Sequence, residues 1–188
     1  MLVLQAPSDK AAWAAGVYGL SLVVLLAVSA FYHRPNWQPR ARALLRRLDH
    51  SAIFVLIAGS YTPICLLVLG EERGNLLLFF VWAGAGIGIA LSLFWPKAPK
   101  PLVALCCVVL GSVVVLEWTT FSSLLSRQIL GLILVGGVLY ALGAVVYSLR
   151  RPDPWPEIFG YHEVFHAMVL ASALLHFIAV SQIVFEFG

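Results

Sequence analysis

FGYHEVFHAMVLASALLHF, residues 159–177, contains the His-Glu-x-x-His pattern that zinc proteases carry on an active-site helix, yet here it opens an apolar run reaching residue 185. Two readings are open: a protease helix, or a membrane span with histidines at its mouth. The rest of the chain decides between them. Of its 188 residues 61% are hydrophobic and only 11% charged, a balance of the polytopic membrane class. A bilayer core of about 30 Å takes about 20 apolar residues per helix. Runs that meet this lie at about 11–32, 48–69, 76–95, 102–118, 129–149 and 161–185. The expected fold is all-α, a polytopic transmembrane helix bundle of six spans, with residues 1–188 as a single transmembrane domain.

Breaks of the expected kind separate the runs: Arg34-Pro35-Asn36, Gly70, PKAPKP and RRPDPWP. The fourth run is the shortest, ending at Glu117-Trp118. Trp95, Trp118 and Trp155 sit at or just past run ends, where interfacial indoles are enriched. Gly84, Gly86 and Gly88, and Gly136, Gly137 and Gly143, permit close helix approach. Cys65, Cys106 and Cys107 all fall inside apolar runs and read as small buried hydrophobes, not as a disulfide framework or thiolate metal site. Met1 to Ala6 is a short apolar stretch closed by Pro7 and Asp9-Lys10, so no secretory signal is expected.

The placement of charge gives an orientation. Arg34, Arg40, Arg42, Arg46 and Arg47 lie between the first two runs, Lys97 and Lys100 between the third and fourth, Arg150 and Arg151 between the last two. The other side has Lys10, Arg73 and Arg127. This bias puts the basic loops in the cytoplasm and the C-terminus outside. Beside two spans the arginines read as a topology signal, with no nucleic-acid partner expected.

Ionisable residues in spans are costly and ask for a reason. His33 ends the first run, one turn after Ser29. Asp49 opens the second on the same side, and His162 and His166 open the last. On a helix the last two are an i, i+4 pair, about 6 Å apart along the axis. His176 lies about 15 Å deeper on nearly the same stripe. Taken singly, His33 and His50 read as interfacial residues and Asp49 as a helix cap. Three imidazoles and a carboxylate at one membrane depth instead suit three ligands plus water on catalytic zinc.

SAFYH (29–33), LDHSAIFVLIAGSYTPI (48–64) and FGYHEVFHAMVLASALLHF (159–177) together resemble the haemolysin III family, the bacterial branch of the progestin and adipoQ receptor group that includes the adiponectin receptors. The resemblance spans almost the whole chain. It implies zinc held by His33, His162 and His166, Asp49 beside the water on the metal, Ser29 accompanying it, and His176 outside the ligand set. The wider family accepts Gln in place of Glu163, and nothing after His166 supplies the later Asp motif of an intramembrane metalloprotease. The protease reading therefore falls away. The family has seven spans, so the resemblance also implies one span upstream, of which Leu2-Val3-Leu4 would be the last residues, cut by a late start codon or a truncation.

Three functions follow from these readings. The first is a zinc-dependent hydrolase of lipid amides or esters, with membrane lipids as partners, a substrate drawn from the inner leaflet, and Asp49 and Ser29 as catalytic residues. The second is a non-catalytic protein in which structural zinc staples three spans and the output is signalling or membrane-lipid homeostasis. The third is the cytolysin of the family's name, for which no amphipathic, secreted pore-forming segment is visible.

Overall fold

A computed structural model describes residues 2–34 and 36–188. Met1 of the N-terminal apolar stretch and the proline of the Arg34-Pro35-Asn36 break lie outside the described residues. The described residues form no β-strand, and six helical segments are long and apolar enough to cross a membrane. These are α1 (Asp9–Tyr32), α2 (Pro39–Pro63, continued as a π-turn over Ile64–Val68), α3 (Glu71–Phe94), the composite α4 (Lys100–Gly111) to α5 (Trp118–Leu124), α6 (Arg127–Leu149) and α7 (Tyr161–Phe187). Long apolar side chains such as Leu20, Phe79, Ile87, Leu105 and Leu174 stand exposed along them. With its backbone satisfied within each helix and its outside apolar, the chain is an integral membrane protein.

Two boundaries differ most from the sequence expectation. The second helix starts at Pro39 rather than near residue 48. Pro39 at the first helical position and the good helix formers of PRARALLRRL carry it through polar sequence that no hydropathy argument selects. The fourth span does not stop at Glu117-Trp118. It tightens to a 3-10 stretch over Ser112–Glu117 and resumes as α5, where Thr120 Oγ1 donates to the Glu117 carboxylate at 2.9 Å.

By packing, the chain divides into two compact units. The first comprises Met1–Ala98 and Ile183–Gly188. Here α2 is the central helix: 67% of its apolar window is buried, against 28% for α1 and for α3. Close approach on both sides is made by glycine. A Cβ on Gly59 would strike the Ser21 hydroxyl on α1, and one on Gly88 would enter the Phe54 ring. Pro63 removes a backbone donor from α2, which widens into the π-turn. The Cys65 carbonyl of that turn faces Gly74 of α3 so closely that no side chain fits there.

The second unit is Pro99–Gln182. It pairs α4 with α6 and sets the aromatic rings of α6 against α7. Ser126 caps α6 by accepting from Ile129 N at 3.2 Å, and Arg150, at φ 54°, ends it in the left-handed conformation of a helix C-cap. Gly143 lies under Phe165 and Met168, leaving 3.5 Å and 3.6 Å between a Cβ placed there and those side chains.

Candidate metal centre

The histidine pair stands on the first two turns of α7, and the chain just before that helix fixes where it begins. RRPDPWP cannot continue α6, and Trp155 and Phe159 bridge back on each other through Trp155 N to Phe159 O at 3.2 Å and Phe159 N to Trp155 O at 2.7 Å. The first turn of a helix leaves its N–H groups without intrahelical partners. Two carboxylates satisfy them here. Asp153 Oδ1 accepts from Tyr161 N at 2.8 Å, and Glu163 Oε2 reaches back to Gly160 N at 2.9 Å. Glu163 thus takes the place of the acidic residue of a capping box, three residues into the helix. Its carboxylate is spent on the backbone at the helix start. Asp153 is a residue that the sequence reading missed, because its bond spans eight positions and a proline-rich turn.

One turn apart, His162 and His166 turn their Nε2 atoms toward each other at 3.2 Å, with ring centroids 4.6 Å apart and planes at 86°. Two imidazole nitrogens on one tetrahedral zinc, at about 2.0–2.1 Å each, stand about 3.3 Å apart by the tetrahedral angle. The donor pair therefore has the spacing that a shared zinc requires, and nitrogen ligands of this type suit that ion. Phe165 packs 5.3 Å from His166, Tyr147 lies 6.2 Å from His162, and the Lys100 ammonium sits 4.3 Å over the Tyr147 ring. Neither Lys100 nor Tyr147 was a site candidate in the sequence, since no local spacing links them to the pair.

His176 occupies a different setting. Its ring fills the notch left by Gly136, so that a Cβ there would run into it. Its Nε2 lies 3.2 Å from the Ile133 carbonyl, and its ring meets Tyr140 edge-on at 5.4 Å. A carbonyl only accepts, so Nε2 carries the proton in this bond and has no lone pair for a metal.

The remaining sequence candidates belong to the first unit. His33 is the C-cap of α1: its N–H bonds Ser29 O at 3.0 Å, its ring meets Tyr32 at 4.7 Å, and its side chain is exposed. Ser29, one turn earlier, is half-buried. Asp49 lies ten residues into α2, about 15 Å from its start at 1.5 Å per residue. Its carboxylate is 13% exposed and lies 3.7 Å from His50 Nδ1.

Comparison with known proteins points one way. The profile of the family described as "Haemolysin-III related" matches residues 1–177. The chain is similar to Hemolysin-3 of Bacillus cereus, 31% identical over 164 residues that cover 87% of this chain and 72% of that protein. It is similar to the Hemolysin-3 homolog of Bacillus subtilis (strain 168), 30% identical over 182 residues, 95% of this chain and 82% of the relative. Adiponectin receptor protein of Drosophila melanogaster is 30% identical over 186 residues, 89% of this chain and 41% of the receptor.

Proposed function

The chain belongs to the haemolysin III family, and we propose that it works there as a zinc-dependent hydrolase of lipid amides or esters. The observation that carries this reading is the facing pair of His162 and His166, whose 3.2 Å nitrogen separation suits a common tetrahedral ion. His33 is the third ligand of the proposal. Bound by these residues, zinc would supply a Lewis acid and a water acidified to a pKa of about 7. Asp49 orients the attacking water and takes up its proton, the work of a carboxylate held close to a metal site. Ser29, on the turn before His33, donates a hydrogen bond to the oxygen that gains charge as the lipid carbonyl is attacked. The lipid enters sideways from the inner leaflet, the basic loops and the site facing the cytoplasm and the C-terminus the outside of a bacterial inner membrane. Glu163, engaged at the helix start, has no part in the proton transfer.

The test has two arms. Metal analysis of the purified protein should find one zinc per chain in the wild type and none in the His162→Ala, His166→Ala double variant. Full occupancy in that variant removes the metal site. Incubation with a panel of lipid amides and esters, with and without chelator, should give a zinc-dependent product. Turnover by Asp49→Asn should fall by about 10²–10⁴-fold with zinc retained. Zinc without product from any lipid leaves the structural ion of a non-catalytic membrane protein.

A further inference from the structure

We propose that the amino-terminal end of α2, together with the segment around Lys97, is a binding surface for the phosphate groups of anionic phospholipids in the leaflet it borders. The helix and its π-turn run from Pro39 to Val68, 30 residues, about 45 Å at 1.5 Å per residue. A hydrocarbon core of about 30 Å leaves about 15 Å, or about ten residues, outside it. Those residues are PRARALLRRL, 39–48, and they carry Arg40, Arg42, Arg46 and Arg47. A rigid helix that continues unbroken out of the core thus sets exposed Arg40, Arg42 and Arg46 at headgroup depth, with half-buried Arg47 beside them.

Three further observations support the surface. First, no carboxylate is paired with this charge among the described residues. No Asp or Glu occurs between Lys10 and Leu48, and among the described residues none of Arg34, Arg40, Arg42, Arg46 and Arg47 is ion-paired to a carboxylate. Second, the fold adds a cation from far along the chain. Arg46 Nη2 donates to the Pro96 carbonyl at 3.3 Å, which brings exposed Lys97 to the same end of the unit. Third, the arginines are interleaved with apolar groups that stay in the open. Leu44 is 54% and Leu48 39% exposed, and the Trp37 indole is held at the end of α1 by its 2.6 Å bond to Phe31 O. Cations between exposed leucines and an anchored indole fit the boundary between headgroup and acyl chain. A polynucleotide would use the cations and leave the leucines without a partner. Guanidinium offers a planar fork to two phosphate oxygens, so this surface favours phosphate over a neutral or zwitterionic headgroup.

Native mass spectrometry of the full-length protein, released from equal mixtures of phosphatidylglycerol and phosphatidylcholine with matched acyl chains, reads this preference directly. The wild type should retain phosphatidylglycerol in excess. Each Arg→Gln change at 40, 42, 46 and 47 should lower the excess by up to about fivefold, and the quadruple variant should bind both lipids equally. Arg73→Gln, at the other end of its unit, should keep the wild-type ratio. Raising salt to about 0.5 M before release should erode the wild-type preference, because exposed charges are screened. This arm stands even where the quadruple variant does not fold. Equal retention of both lipids by the wild type, a preference indifferent to salt, or displacement of phosphatidylglycerol by a short oligonucleotide overturns the proposal.

Discussion

Replacing Glu163 separates two meanings of the same motif. In the protease reading its carboxylate moves a proton, and the charge-removing change Glu163→Gln is lethal to activity. In this structure the carboxylate accepts from the N–H of buried Gly160 at 2.9 Å, and glutamine still offers an oxygen at that place. Only the favourable interaction of a negative charge with the helix start is then lost, about 0.3–1 kcal/mol. Glu163→Ala removes the acceptor as well, and a lost cap costs about 1 kcal/mol. For a chain of this size about 1 kcal/mol moves Tm by about 2–4 °C. Thermal unfolding of detergent-solubilised protein, followed by tryptophan fluorescence, should therefore rank wild type, Gln and Ala in that order, with Gln within about 4 °C of wild type. Zinc content of the Gln variant should equal that of the wild type. An unchanged Tm in Glu163→Ala refutes the capping role. A Gln variant that keeps its zinc and its Tm but loses lipid turnover restores Glu163 as a base.

Other perturbations probe the packing and the orientation. Gly136→Ala puts a methyl into the His176 ring and should destabilise by about 1–3 kcal/mol, and His176→Ala in the same chain should relieve part of that loss in a double-mutant cycle of unfolding midpoints. Gly88→Val should fail in the same way against Phe54, with a smaller apolar side chain at 54 restoring expression of folded protein. Cysteines placed at Arg42 and Arg73 should label from opposite sides of intact cells, position 73 from outside; labelling of position 42 from outside reverses the proposed orientation.

What was legible in the sequence follows from which forces act locally. The six spans were visible because a bilayer demands an unbroken apolar run for each, and that demand is met within one stretch of chain. The start of α2 was not, since PRARALLRRL is polar and only helix propensity and Pro39 speak for it. The histidine pair was visible because four residues make one turn, so His162 and His166 had to share a face. The seat of His176 was hidden, because Gly136 lies 40 positions away and nothing in either segment names the other. The role of Glu163 was legible and yet overshadowed. Gly160 and Glu163 stand at the spacing of a capping box, and His162 and His166 stand at the spacing of a metal pair, interleaved within seven residues. The two patterns coincide because α7 begins one residue before its first histidine, which puts the intervening glutamate at the third helical position, where the unpaired N–H of Gly160 attracts it. A histidine-glutamate-histidine helix that started a turn earlier would leave that glutamate without a backbone donor to cap. The protease likeness is therefore a consequence of where this helix starts, and the residue that suggested it holds that start in place.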